Sequence, residues 1–120
     1  MNTKIIHKNA NKIAVVQSDE ILIADVSSAL EFMATIRYET DCDRIAINKE
    51  AITEEFFKLS TRLAGDILQK FTNYRVKIAI IGDFSYYTSK PLKDFIYESN
   101  LGHNVFFTAD EEEAIERLSV

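Results

Sequence analysis

The stretch "VKIAIIGDF", Val76–Phe84, decides the fold class of this sequence. Its apolar run from Val76 to Ile81 predicts the clearest strand of the chain, and Gly82 with Asp83 ends that strand. Helical patterns precede and follow the run. A strand placed between helices predicts a parallel sheet with right-handed crossovers.

The same alternation continues in both directions from this stretch. Further strands are predicted at Lys4–Lys8, Lys12–Gln17, Ile45–Ile47 and Val105–Phe107. The first two strands form a hairpin, because the Asn residues of "NAN" between them suit a turn. Helices are predicted to begin at Asp25, Thr53, Ser89 and Thr108, each a residue type that caps helices. The sequence therefore predicts a single α/β domain over residues 1–120, with the order β-β-α-β-α-β-α-β-α and a mixed sheet of four to five strands.

Charge and composition exclude several classes of function. The net charge is −5 and no basic run is present, which argues against nucleic-acid binding. Cys42 is the one cysteine, so an internal disulfide cannot form and a reducing, cytoplasmic setting is expected. No signal peptide is recognised and no window approaches ~18 continuous apolar residues, so no membrane association is expected.

The predicted order of elements resembles the STAS fold, the small α/β domain of anti-sigma-factor antagonists and sulfate-transporter tails. In that family a short motif, Asp-Ser-Ser-Gly or similar, follows the middle strand. A partner kinase phosphorylates its hydroxyl, and the phosphate releases a bound partner. The resemblance implies Ser60 and Thr61 as regulatory hydroxyls. Leu59 stands where the motif has Asp, Arg62 stands where it has Gly, and the spacing from Ile47 is longer than usual.

Two longer segments resemble a more specific family. They are "EEFFKLSTRLAGDILQKFTNYRVKIAIIGDF" (54–84) and "SKPLKDFIYESNLGHNVFF" (89–107), about half of the chain. Both are similar to the characteristic blocks of the bacterial family DUF4180, domain of unknown function 4180. That resemblance implies no activity.

Two helical registers give Ser60 different environments. One continuous helix from Thr53 to Phe71 predicts a buried Ser60 that bonds the carbonyl of Phe56. A break near Leu59 would instead make Ser60 an N-cap and would bury Leu59. The continuous helix is preferred, since it places seven apolar residues on one face: Phe56, Phe57, Leu63, Ala64, Ile67, Leu68 and Phe71. Thr61 lies near the edge in both registers and is the better regulatory candidate.

The carboxyl ends of the parallel strands form the candidate contact edge, because ligands of open α/β sheets bind there. This edge contains Asn48, Asp83, Tyr86 and Tyr87, and adjacent tyrosines in an extended loop point to opposite sides. Acidic side chains near it would form a carboxylate cluster only if the fold brought them together: Glu50, Glu54, Glu55 and Asp83.

No residue pattern indicates a metal or cofactor site. His7 and His103 lie on different predicted elements, Cys42 has no His at motif spacing, and no Gly-rich phosphate loop is present. The sequence is thus interpreted as a non-enzymatic, STAS-like regulatory module that binds a partner protein or itself. The alternative is a small-molecule-binding domain or minor enzyme that uses the strand-end edge. A carboxylate with a strongly raised pKa in a closed pocket would favour that alternative.

Overall fold

The stretch Val76–Phe84 supplies a central strand of one five-stranded mixed sheet. The computed structural model describes all 120 residues. The strands are β1 (Asn2–Lys8), β2 (Asn11–Gln17), β3 (Arg44–Asn48), β4 (Lys77–Ile81) and β5 (Val105–Thr108), in the spatial order β1-β2-β3-β4-β5. The helices are α1 (Val26–Thr40), α2 (Leu63–Asn73), α3 (Lys90–Leu101) and α4 (Glu111–Leu118). None of these helices is long and apolar enough to span a membrane.

The strands pair as the sequence predicts. β2, β3, β4 and β5 are parallel to their neighbours, and β1 is antiparallel to β2. A two-residue turn joins β1 to β2, in which Asn9 has φ 52° and Ala10 has φ 64°. Two left-handed residues in a row are the geometry of a type I′ turn, whose twist matches the twist of the flanking strands. The predicted α/β class and the leading hairpin are confirmed.

The order of the strands decides where the helices lie. From β2 to β5 the spatial order follows the chain, so three right-handed crossovers in the same direction place α1, α2 and α3 on one face. They cover the larger core cluster, and α4 alone covers the other face, packing on β3, β4 and β5. Ala46 and Ala79 face α4 and are fully buried. Because the strand order never reverses among the parallel strands, the topology creates no crevice at the strand ends, and any binding surface there must be built by loops.

The predicted continuous helix from Thr53 to Phe71 is wrong. Three 3₁₀ turns precede α2: Lys49–Ala51, Glu54–Phe57 and Leu59–Thr61. Arg62 then adopts φ 63°, which interrupts the helical path before Leu63. The break lets Leu59 pack against the main core, whereas a single helix would have turned it to solvent. The rejected alternative, a break near Leu59, is therefore close to the structure.

The predicted start of the last helix at Thr108 is also wrong. Thr108 is the buried end of β5. Asp110 caps α4 instead, since its Oδ1 accepts a hydrogen bond of 2.8 Å from the Glu113 amide. At the other two predicted starts the caps are confirmed, because the Asp25 side chain accepts from the Ser28 amide and the Ser89 side chain accepts from the Leu92 amide.

Candidate functional site

A buried lysine lies at the centre of the strand-end edge. Lys49 directly follows β3, and only 8% of its side chain is exposed. The stem of Lys49 passes against Gly82, the residue after β4. A Cβ atom at Gly82 would lie 2.7 Å from the Cβ of Lys49, which is too close for two carbon atoms. Gly82 is therefore the residue that lets Lys49 extend beneath the loop after β4.

The ammonium group of Lys49 is held by one carboxylate and three aromatic rings. Its Nζ lies 2.5 Å from Oε1 of Glu54. The same atom lies 5.0 Å from the ring centroid of Phe57 and 5.2 Å from those of Tyr86 and Tyr87, within cation–π range. Burial disfavours the charged form, but the interactions with Glu54, Tyr86 and Tyr87 outweigh it, so the pKa of Lys49 is raised.

A chain of hydroxyl bonds connects the carboxylate to the surface. The Tyr86 hydroxyl donates to the Tyr87 hydroxyl over 3.1 Å, and the Tyr87 hydroxyl donates to both Glu54 oxygens, at 3.1 and 3.0 Å. Burial of Glu54 opposes its ionisation, but its bonds with Lys49 and Tyr87 prevail and lower its pKa. Burial and the hydrogen bonds with Tyr86 and Glu54 raise the pKa of Tyr87, against the opposing effect of Lys49. The group is therefore an ammonium–carboxylate pair to which the two tyrosine hydroxyls are linked by hydrogen bonds.

The rings of this group form an aromatic stack, which we define as Phe57, Tyr87 and Tyr86. Their centroids are 5.3 Å apart for Phe57 and Tyr87, and 4.4 Å apart for Tyr87 and Tyr86. Tyr87 is half-buried, and Tyr86, at the outer end, is 58% exposed. The loop is turned rather than extended, because the Tyr87 amide bonds the Phe84 carbonyl at 3.3 Å. The two tyrosines therefore stack, since the extended loop that would make them alternate is not present.

A cleft of about 510 Å³ opens beside the stack. Its walls come from the segment before α2, from the loop between β4 and α3, and from the first turn of α3. The lining residues are Glu54, Phe57, Lys58, Leu59, Ser60, Tyr86, Tyr87, Thr88, Ser89, Pro91 and Leu92. Ser60 and Tyr86 are exposed at this cleft, whereas Phe57 and Leu92 are buried. The cleft thus combines an apolar floor with a polar rim.

Two of the predicted contact residues stabilise the loops. Asn48 is buried, and its side chain accepts from the Ser18 amide at 2.9 Å and donates to the Ser18 carbonyl at 2.7 Å. It therefore ties the end of β3 to the chain that leaves β2. Asp83 accepts from the amide and the hydroxyl of Ser85, and these bonds lower the pKa of Asp83.

The prediction that Ser60 is buried is wrong, because the 3₁₀ turn leaves its side chain exposed. Thr61 is also exposed, but its hydroxyl is engaged. It bonds the carbonyls of Glu55 and Lys58 at 3.0 and 2.8 Å and accepts from the Leu63 amide at 3.2 Å. Thr61 therefore secures the start of α2.

The fold does not gather the acidic residues of this edge into one cluster. Glu54 pairs with Lys49, Glu55 pairs with Lys58, and Glu50 accepts from Asn48. No group of three or more His, Cys, Asp or Glu side chains is arranged to hold a metal ion. The carboxyls whose pKa departs from the usual value here, Glu54 and Asp83, are both shifted downward.

The sequence analysis assigned no role in the site to Lys49 or Phe57. Lys49 is a lysine that directly follows a short buried strand, at the edge where the tyrosines and Glu54 were expected. That position is the one local signal for its role. Phe57 was assigned to the apolar face of a helix that does not form.

The chain was compared with protein-family models, curated proteins and solved structures. A family model described as "Domain of unknown function (DUF4180)" matches residues 8–118. The searches of curated proteins and of solved structures gave no match. The resemblance to the STAS fold therefore stays a prediction.

Lys49→Met tests whether the buried ammonium holds the two segments together. The change keeps most of the side-chain stem but leaves Glu54 and the rings without their cation. We expect the free energy of unfolding to fall by about 1–3 kcal/mol. Lys58→Met is the matched control, because the Lys58–Glu55 pair is exposed and its loss should cost within about 0.5 kcal/mol. Urea unfolding followed by circular dichroism measures both, and equal losses would contradict the role of Lys49.

Proposed function

Because the chain belongs to the DUF4180 family, whose description assigns no activity, we propose its function from its own surface: a STAS-like regulatory module that binds a partner protein at the cleft beside Tyr86. The observation that carries the proposal is the exposed ring of Tyr86 at the end of a fixed stack. Exposed aromatic side chains are frequent anchors of protein interfaces.

The contacts that hold the Tyr86 ring support a binding role. Binding usually costs free energy to order interface side chains, and a ring that is already held loses less freedom. Tyr86 is held by stacking on Tyr87, by its hydroxyl bond and by the ammonium of Lys49. The adjacent cleft, with an apolar floor and a polar rim, matches the usual arrangement of an interface.

The ionisation of the site favours binding over acid–base catalysis. A general acid at neutral pH needs a carboxyl group of raised pKa, and the pKa of Glu54 and of Asp83 is lowered. A nucleophilic lysine needs a lowered pKa, and that of Lys49 is raised. The alternative function, binding of a small molecule, is favoured by the cleft volume of about 510 Å³, which is within the range of ligand pockets.

We place the working protein in the cytoplasm, supported by its lone buried thiol at Cys42. Ser60 rather than Thr61 is the proposed regulatory hydroxyl. It is exposed on the rim of the cleft, whereas the hydroxyl of Thr61 is committed to three bonds. A phosphate on Ser60 would add negative charge at the surface that binds the partner.

Tyr86→Ala tests the proposed anchor. Affinity capture from the native host, with the bound proteins identified and then purified, supplies the partner for titration calorimetry. We expect Tyr86→Ala to weaken partner affinity roughly 30-fold, the loss typical of a hot spot. Tyr38→Ala is the matched control, because Tyr38 is exposed near the end of α1. The end of α1 leads into the start of β3, so Tyr38 lies at the edge of the sheet opposite the strand-end edge. Equal affinity of wild type and Tyr86→Ala for every partner would contradict the proposal. A bound small molecule seen by native mass spectrometry and lost with Tyr86→Ala would favour the alternative.

Ser60→Asp tests the regulatory hydroxyl. Because Ser60 is exposed, we expect the free energy of unfolding to change by no more than about 0.5 kcal/mol while partner affinity falls. Thr61→Val is the contrasting variant, and loss of its helix-start bonds should cost about 1 kcal/mol. Thermal melts and the same calorimetry measure both effects. A large loss of stability in Ser60→Asp, or an unchanged partner affinity, would contradict the assignment.

A further inference from the structure

The outer edge of β1 carries unpaired backbone groups along its whole length. Lys8 of β1 and Asn11 of β2 flank the two-residue turn, so they form a hydrogen-bonded pair. Hydrogen-bonded and non-hydrogen-bonded pairs then alternate along the two strands. The N–H and C=O groups of Thr3, Ile5 and His7 consequently point away from β2. None of these N–H and C=O groups makes a hydrogen bond with the backbone of a turn, loop or helix cap.

β1 also lacks the devices that protect edge strands from pairing. It pairs with β2 over all seven residues without a bulge, and it contains no Pro or Gly. Ile5 is 40% exposed. The lysines of β1 do not guard the edge, because Lys4 and Lys8 turn toward α4 and pair with Glu111 and Glu116. An exposed, regular edge of this kind is a template for another strand.

The sequence of β1 fits itself in one antiparallel register. With the twofold axis at Ile5, all three free residues are used: Ile5 faces Ile5 of the second copy and Thr3 faces His7. On the other side of the strand Lys4 faces Ile6 and Asn2 faces Lys8. No like charges then oppose one another, which favours the pairing.

The neighbouring registers are worse in both hydrogen bonds and charge. An axis at Lys4 pairs only Thr3 with Ile5 among the free residues, and it places Lys4 of one copy directly across from Lys4 of the other. An axis at Ile6 pairs only Ile5 with His7 and opposes Lys4 to Lys8. Each uses two bonded pairs instead of three, and like charges directly opposite are unfavourable. We propose that two copies of this chain associate through β1, antiparallel and centred on Ile5, to form one continuous ten-stranded sheet.

Sedimentation velocity of the full chain over a range of concentrations tests the proposal. The expected result is a shift toward twice the mass of 13.7 kDa as concentration rises. Ile5→Pro removes an outward N–H group that β2 does not use, so it should leave a folded monomer. Ile5→Val keeps that N–H group and should still dimerise. A wild type that stays monomeric up to about 1 mM would overturn the proposal, because specific dimers associate at far lower concentrations. A dimer that Ile5→Pro does not affect would overturn it as well.

Substitutions at Asn2 test the register with the fold left intact. Asn2 is exposed and faces Lys8 of the second copy in the proposed pairing. Asn2→Glu should tighten the dimer and Asn2→Lys should weaken it, each roughly five-fold. Equal dimer affinities for the two variants would overturn the register. In the wild type, hydrogen exchange at the amides of Thr3, Ile5 and His7 should slow as concentration rises, and concentration-independent exchange would overturn the interface.

Discussion

The burial of one ammonium group constrains the whole strand-end edge of this protein. Removing a lysine ammonium from water costs several kcal/mol unless a partner charge and further polar contacts offset it. Lys49 follows β3 and is nearly enclosed, so Glu54 and the three rings must reach it. Both Glu54 and Phe57 belong to the connection before α2, and a straight helix through that connection would follow a different path.

That constraint explains the broken helix and the turned loop together. The 3₁₀ turn Glu54–Phe57 directs a carboxylate and a ring toward Lys49, and the left-handed Arg62 then starts α2 in a new direction. On the other side Gly82 leaves room for the lysine stem, and the turn at Tyr86 stacks two rings above it. The result is an outer ring, that of Tyr86, held by these contacts beside a cleft. Since the strand order supplies no crevice, the loops tied to Lys49 provide the shape of this surface.

The sequence predicts those parts of the fold whose signals are local. Apolar runs located the strands, the Asn residues of "NAN" located the hairpin, and Asp25 and Ser89 located two helix starts. The helix from Thr53 was mispredicted because seven apolar residues fit one helical face, although two of them, Phe56 and Phe57, instead pack from a 3₁₀ turn. Lys49 was missed because its partners Tyr86 and Tyr87 are distant in sequence, and no periodicity reports a contact between two loops. The tyrosines were placed at the correct edge, but their stacking depends on that same contact.

The most direct test of the role of Lys49 is a titration of its side-chain nitrogen by nuclear magnetic resonance. The protein is labelled with nitrogen-15 and the lysine Nζ signals are followed from neutral to alkaline pH while the fold is monitored. If Glu54 and the aromatic rings hold the charged form, Lys49 stays protonated above the ordinary lysine pKa of 10.5. A pKa for Lys49 at or below the ordinary value of 10.5 would show that burial dominates, and would contradict the role of this ammonium in securing the edge.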